Sequence, residues 1–414
     1  MAAIILKGGS LVDPEKGSTR KRDVWIENGN VIKIGVAESL RHVADKWEVI
    51  DCEGLWVVPG LIDMHVHFRT PGQEHKENLV TGSMAALAGG FTSVVCMANT
   101  KPVIDNEEKL KQLFILAKRE ALVNILQVAA VTIGREGKEL TEIWKLFLEG
   151  AAAFSDDGDG IQDPAILSQA IQEFVGYKKP ILLHCQDKRF DTYDRRAEIH
   201  DVSLVIRCAE SCNAPIHIQH VSCAESVQLI REAKARGVKV TCETAPHYVA
   251  LTQRDFKRIG VNAMMNPPLR GKADRLAVIH GLTDGTIDVI ATDHAPHTDE
   301  EKNSDKPPFG IIGLETAMPV VFSHLSQHLS VPEIIAKMTI NPVRILGLEQ
   351  KGLIKEGWSA DITVIDPKMR KVLKAEDLKS KSHNSPWLGK RMQIWPVMTI
   401  KDGKILMKDG KITI

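Results

Sequence analysis

Eight short apolar runs alternating with segments of helical period, framed by two β-rich chain ends, predict an α/β protein. The architecture expected is a TIM (β/α)8 barrel carrying a small β-sandwich built from both termini. Three observations carry this: the alternation itself, the count of eight, and the change of pattern at both ends. At 414 residues the chain exceeds the size at which one core stops growing, so a large domain with a smaller satellite is expected. The partition is 1–55 plus 350–414 for the β-rich unit and 56–349 for the barrel.

The first ~55 residues hold short runs such as Ile4-Ile5-Leu6, Val24-Trp25-Ile26 and Val31-Ile32-Lys33-Ile34, separated by Gly8-Gly9 and Asn28-Gly29-Asn30. The last ~60 match them, with Asp361 to Ile365, Val397 to Ile400 and Ile405 to Met407 broken by Asp402-Gly403 and Asp409-Gly410. Chain ends tend to lie close in space, so the two sets should pack together. In the middle, the strands expected are Leu61 to Val66, Thr92 to Met97, Asn124 to Ala130, Ala151 to Phe154, Ile181 to Leu183, Ile216 to Gln219, Lys239 to Cys242 and Asp288 to Ala291. Helices are expected over Lys76 to Ala88, Glu107 to Arg119 and Ala224 to Ala235, the first and last followed by glycine. The competing doubly wound sheet lacks a G-x-G-x-x-G after its first strand.

Composition excludes several classes. Hydrophobic residues at 43% and charged residues at 26% describe an ordered globular chain rather than a disordered one. Fifty-three basic and 53 acidic residues leave no net field for nucleic acid or an anionic membrane. No run approaches the ~20 apolar residues of a membrane helix, and the N-terminus lacks a signal-peptide core, so a cytoplasmic protein is expected. Seven cysteines without a C-x-x-C pair fit reduced, buried thiols.

Metal chemistry is signalled first by His65-Val-His67, two histidines that alternation places on one face of the first barrel strand. Alone, H-x-H is a modest signal. Its weight comes from Asp156-Asp157 after strand four, His184 after strand five, His220 after strand six and Asp293 after strand eight. All these ends meet at the C-terminal mouth of a barrel, where active sites of this fold lie. Imidazole and carboxylate donors without thiolate suit catalytic zinc, and the same donors accept manganese or iron. Four histidines and two aspartates exceed one tetrahedral ion, so a two-metal centre bridged by a carboxylate, with ions ~3.5–4 Å apart, is plausible. Which of Asp156 and Asp157 faces the ions is open at this point. Cys185 and Cys223 read as packing residues. His217 lies three positions before His220, and alternation turns it toward the helices. His294 could support Asp293 from behind, and His247 could line the pocket or pack beneath it.

These residues resemble the amidohydrolase superfamily and, in detail, the dihydroorotase family of pyrimidine biosynthesis. The likeness runs through Pro59 to Gly72 (with His65, His67 and Arg69), Gly89 to Thr92, Met97 to Thr100, Phe154 to Gly158, His220 to Ser222, Met265 to Arg270, Ile290 to His297 and Pro308 to Gly313. It implies that His65, His67, His184 and His220 are metal ligands, that Asp157 is the bridging carboxylate, that each subunit holds one or two zinc ions, and that Asp293 is both ligand and catalytic proton carrier. Many relatives bridge their metals with a lysine from strand four. Here Ala151-Ala-Ala-Phe154 offers none, which resembles the aspartate-bridged branch and argues against a hydantoinase or allantoinase.

The resemblance further implies that Arg69, Asn99 and His297 hold a substrate carboxylate, a planar guanidinium being suited to grip it bidentately. Asn266 and the backbone of Phe309-Gly310 would address the ring or ureido group. Thr298 to Pro308, charged and ending in two prolines, reads as a mobile lid or as a solvated loop. The activity implied is reversible, zinc-dependent cyclisation of N-carbamoyl-L-aspartate to L-dihydroorotate, by a protein assembling with copies of itself or with aspartate transcarbamoylase. A non-catalytic subunit of that transcarbamoylase is the alternative from another class, but such relatives tend to lose metal ligands. Two departures stand out: 36 residues separate His184 from His220, fewer than usual, and the family's His-Cys-Glu-Asp is His184-Cys-Gln-Asp187.

Overall fold

The structure, a computed structural model, describes residues 3–36, 47–176 and 179–413. Nine of its strands form one mixed sheet drawn from both ends of the chain. The N-terminal ones are β1 (Ala3–Asp13), β2 (Ser18–Glu27), β3 (Asn30–Gly35), β4 (Trp47–Asp51) and β5 (Trp56–Pro59). The parallel strands β6 (Leu61–Val66), β7 (Phe91–Cys96), β8 (Asn124–Ala129), β9 (Ala153–Phe154), β10 (Ile181–Leu183), β11 (Ile216–Ile218), β12 (Val240–Thr244) and β13 (Val289–Ile290) follow in unbroken spatial order. Then β14 (Ile362–Val372), β15 (Arg391–Lys401), β16 (Lys404–Lys408) and β17 (Lys411–Ile412) return to the first sheet.

The two ends meet where β5 pairs with β1 on one side and antiparallel with β14 on the other. The strands expected of a terminal sandwich thus hydrogen bond as one continuous sheet. A separate cluster of buried side chains, among them Ile4, Leu6, Val24, Val57, Ile362 and Ile400, fills it. Its hairpins follow from turn chemistry: Asn28-Gly29, Asp402-Gly403 and Asp409-Gly410 all have φ between 48° and 87°, the left-handed pair that two-residue hairpins require. The expected break at residue 55 falls next to β5, which belongs to this sheet.

In the barrel each expected strand is present, displaced at its ends by two residues at most. Helix Leu79–Ala88 begins at Asn78, whose side chain accepts from the Val80 and Thr81 amides, and stops at Gly89. Helix Glu107–Glu120 buries Leu110, Leu113 and Ala117, a spacing of three and four that aims one stripe at the sheet. The short crossover between His184 and His220 holds one helix, Arg195–Cys212, and still delivers β11 in register with β10. Closure occurs at the mouth. Val66 bridges to His294 in parallel, His67 N–H donates to His294 C=O at 2.8 Å, and Asp63 accepts from the His65 and Thr292 amides at 3.0 Å each. No helix among the described residues is long and apolar enough to cross a membrane.

Candidate metal centre and substrate cavity

His65 lies inside β6 and His67 one residue past it, so both rings project to the same side, centroids 5.2 Å apart. Asp157 sits between the histidines. Its Oδ1 is 3.3 Å from His65 Nε2, 3.4 Å from His184 Nδ1 and 3.6 Å from His220 Nε2, while its Oδ2 is 3.6 Å from His67 Nε2. Asp293 Oδ1 approaches His67 Nε2 at 3.1 Å and His65 Nε2 at 3.6 Å. Two groups, His65 with Asp157 and His220 and His65 with His67 and Asp293, each bring their ligand atoms within 4.8 Å of one another. All six residues expected as ligands are therefore brought together.

The donor set fits a divalent ion. His65 Nε2 is fully buried with no hydrogen-bond partner, although its Nδ1 is held by Glu243 at 2.8 Å. A buried imidazole nitrogen left bare costs free energy unless something binds it. His184 Nδ1 and His220 Nε2 face each other at 2.8 Å, so either one N–H donates to the other ring or both nitrogens turn lone pairs to a shared cation. Supporting bonds fix the rings: His67 Nδ1 to Asn99 Oδ1 at 2.8 Å and His184 Nε2 to Gln186 Oε1 at 3.1 Å. The amide of Gln186, which stands where the resembling family has glutamate, thus reaches the His184 ring. Burial opposes ionisation of both aspartates, but the surrounding histidines win: Asp157 is held well below the usual carboxylate range and Asp293 at about 2.

Asp156 takes no part. Its carboxylate turns away to the Val131 and Thr132 amides, at 2.8 and 3.1 Å, and to the Thr132 hydroxyl. His217 departs from expectation. It does not pack against helices but hydrogen bonds Glu243 at 3.3 Å and Thr241 at 2.9 Å. The parity count failed because His220 leaves extended backbone, at φ 35°, and swings into the site regardless of where His217 points. The His294 ring is directed away from Asp293, to Glu77 and to the amides of Gly313 and Leu314. His247 is buried, its Nε2 unpartnered, its ring against Tyr248. Cys185 and Cys223 are buried thiols.

A cavity of about 280 Å³ opens above the centre. His67, Asp157, His184, His220 and Asp293 form its floor, and Arg69, Asn99, Asn266, His297, Phe309 and Gly310 its walls. Asn99 also donates to Asp157 Oδ2 at 3.2 Å, and Asn266 donates to Gln186 at 2.7 Å. Arg69, at φ 61°, donates to Pro296 C=O and to His297 Nε2, both at 3.2 Å. Burial lowers its guanidinium to about 10, still cationic at neutral pH. His297, pushed down to about 3 by burial and by Arg69 and Lys76, is neutral and accepts from Arg69 while its Nδ1 faces Glu301 at 3.1 Å. Segment 298–308, expected as a mobile lid or a solvated loop, contains helix Asp299–Lys302 and is anchored through Glu301 to Lys76 at 3.0 Å. Gly310 N–H donates to Met264 C=O at 3.0 Å and its carbonyl accepts from Lys302 and Asn384, so both polar groups of its backbone are held within the protein.

Glu243 is the functional residue that sequence reasoning passed over. A charged residue inside β12, one position beyond the expected strand end, was its signal.

Fold and site together define a barrel with a candidate metal centre at its mouth, an arrangement consistent with a hydrolase, and the comparisons agree. The amidohydrolase family model matches residues 56–406, and the chain belongs to the amidohydrolase family. A dihydroorotase of Geotalea daltonii is 44% identical over 425 residues, covering 98% of this chain and 99% of its own, and one of Pelobacter propionicus is 41% identical with the same coverage. An L-hydantoinase of Arthrobacter aurescens superposes with a TM-score of 0.91 over 100% of this chain and 98% of its own, at 23% identity, which bears on the fold alone. Within the family this chain is dihydroorotase-like, with a metal site consistent with the aspartate-bridged branch. Such a site is consistent with hydrolysis of a cyclic amide.

Proposed function

We propose that the protein is a dihydroorotase, converting N-carbamoyl-L-aspartate and L-dihydroorotate reversibly. The observation that carries this reading is Asp157, whose two oxygens face different histidines where many relatives use a lysine, beneath a cavity walled by a half-buried arginine. Held by His65, His67, Asp157, His184, His220 and Asp293, one or two zinc ions would supply Lewis acidity toward the ring carbonyl and activate water. Arg69 binds the substrate carboxylate through its paired N–H groups, with His297 bracing the guanidinium and Asn99 beside it. Asn266 and the Phe309 backbone orient the ring, and Gly310 completes the wall. In ring opening, the water oxygen bonds to the amide carbon, the carbon–nitrogen bond breaks, and Asp293 carries the water's proton to the departing nitrogen. Ring closure reverses each transfer. A carboxylate held at about 2 is ionised at neutral pH, as an acceptor must be.

The reading includes cytoplasmic location, a partition into 1–55 plus 350–414 and 56–349 with β5 crossing over, and assembly with copies of the same chain or aspartate transcarbamoylase. Steady-state ring opening of dihydroorotate, with metal content measured on the same sample, tests it. Activity should vanish with chelator and return with zinc. No turnover by metal-loaded protein, alone or with the transcarbamoylase, would refute it.

A further inference from the structure

Between β14 and β15 the chain leaves the terminal sheet and runs across the barrel mouth, its base closed where Leu373 N–H meets Lys390 C=O and Gly389 N–H meets Leu373 C=O. Ser382 fastens it to Lys76 C=O at 2.7 Å, and Glu315 accepts the Lys379 and Ser380 amides at 2.9 and 3.1 Å. At its tip Asn384 is fully buried and spends its side chain on the cavity wall. Its Oδ1 accepts from His297 N–H at 3.3 Å, and its Nδ2 donates to the carbonyls of Ala295 and Gly310, both at 3.1 Å.

A second buried donor converges on the same carbonyl. Lys302 is 1% exposed and has no carboxylate partner among the described residues. Its ammonium donates to Gly310 C=O at 3.0 Å, Pro308 C=O at 2.9 Å and Met264 C=O at 3.3 Å. An ammonium has three hydrogens, so this is a filled set. A buried lysine without a counter-charge is costly, and a fold keeps one where it has carbonyls to organise. Gly310 itself, at φ 134°, leaves no room for a side chain: a Cβ would lie 2.8 Å from both Ala295 Cβ and Ala295 O.

We propose that Asn384 and Lys302 are positioning residues that clamp the Gly310 carbonyl from two sides, setting the Pro308–Gly310 wall and His297 against the substrate. The C-terminal segment is then a working part of the site rather than an appended support. This rests on the function proposed above. The two donors come from elements far apart in sequence yet share one acceptor, so their effects should overlap.

The test uses full-length Asn384→Ala, Lys302→Met and Lys302→Arg, each metal-loaded, with kcat and KM for dihydroorotate and hydrogen exchange across the whole chain. Asn384→Ala and Lys302→Met should each raise KM about 10-fold, the scale of the one shared hydrogen bond to Gly310 C=O, with kcat within about 3-fold. Lys302→Arg should recover most of the loss, and the double variant should fall short of the product of the singles. Exchange should rise in 298–312 and not in β6 or β12. Unchanged KM in both single variants overturns the clamp, as does protection lost throughout the barrel in step with kcat. If wild-type protein leaves dihydroorotate untouched, the proposed activity fails and the clamp is judged on the exchange pattern alone.

Discussion

The centre depends on residues held in backbone conformations that side chains ordinarily avoid. Arg69, His220 and Asp293 have φ of 61°, 35° and 50°, and each lies just past a barrel strand. Residue types and spacing disclosed these positions, since histidine and aspartate at strand ends are legible in a sequence. Direction was not legible: the count from His217 to His220 assumed extended backbone, and Glu243 stood one residue beyond the expected strand. Glu243 anchors both His65 and His217, and against the cost of burial the hydrogen bonds from His217 and His65 hold its carboxyl down to about 2. Glu243→Gln should therefore weaken metal binding ~10–100-fold, read by competition with a chromogenic chelator. Affinity equal to wild type would show that His65 is oriented without it. Asp293→Asn should reduce ring opening by at least about 1000-fold while the circular dichroism spectrum is unchanged.

At the scale of elements, the strands and long helices were readable because their apolar spacing is set by geometry. The segment 298–308 was not, because its order comes from partners distant in sequence, Lys76 and the carbonyl of Met264. Those partners also give it a pH dependence. Glu301 is brought down to about 2, since Lys76 and His297 outweigh burial, and His297 is depressed from 6.5 to about 3. Both folded values lie below the unfolded ones, so each contribution is complete above the unfolded value and is lost as pH falls. His297 sets the upper edge near 6.5, and Glu301, a third exposed, adds a smaller part below 4.5. Limited proteolysis within 298–308 should accelerate as pH drops from 7.5 to 5, and a flat rate would contradict this coupling.

For the whole molecule, sheet and barrel share strand ends: β5 runs through Gly60 into β6, and Gly60 N–H donates to Asp361 C=O at 2.8 Å. Periodicity announced that both termini were β-rich, but not that they would join in one sheet, because strand order depends on pairings such as Val57 with Val364 that only three dimensions specify. An ion bound by six side chains of the folded barrel, and poorly by the unfolded chain, stabilises the fold by about 4 kcal/mol at 1,000 times its dissociation constant. Chelation should accordingly lower the thermal midpoint by several degrees. An identical midpoint with and without chelator would mean that the residues gather without gripping a metal.

The barrel closes where Val66 meets His294, with His65 and His67 on one side of that join and Asp293 on the other. In folding terms the first strand waits for the last, some two hundred residues later, and such distant contacts form slowly. An ion requiring both sides cannot be fully coordinated until the ring is complete. Metal capture during refolding then becomes a clock for the final event, trailing the recovery of helix and timing the moment at which the two ends of the barrel are riveted.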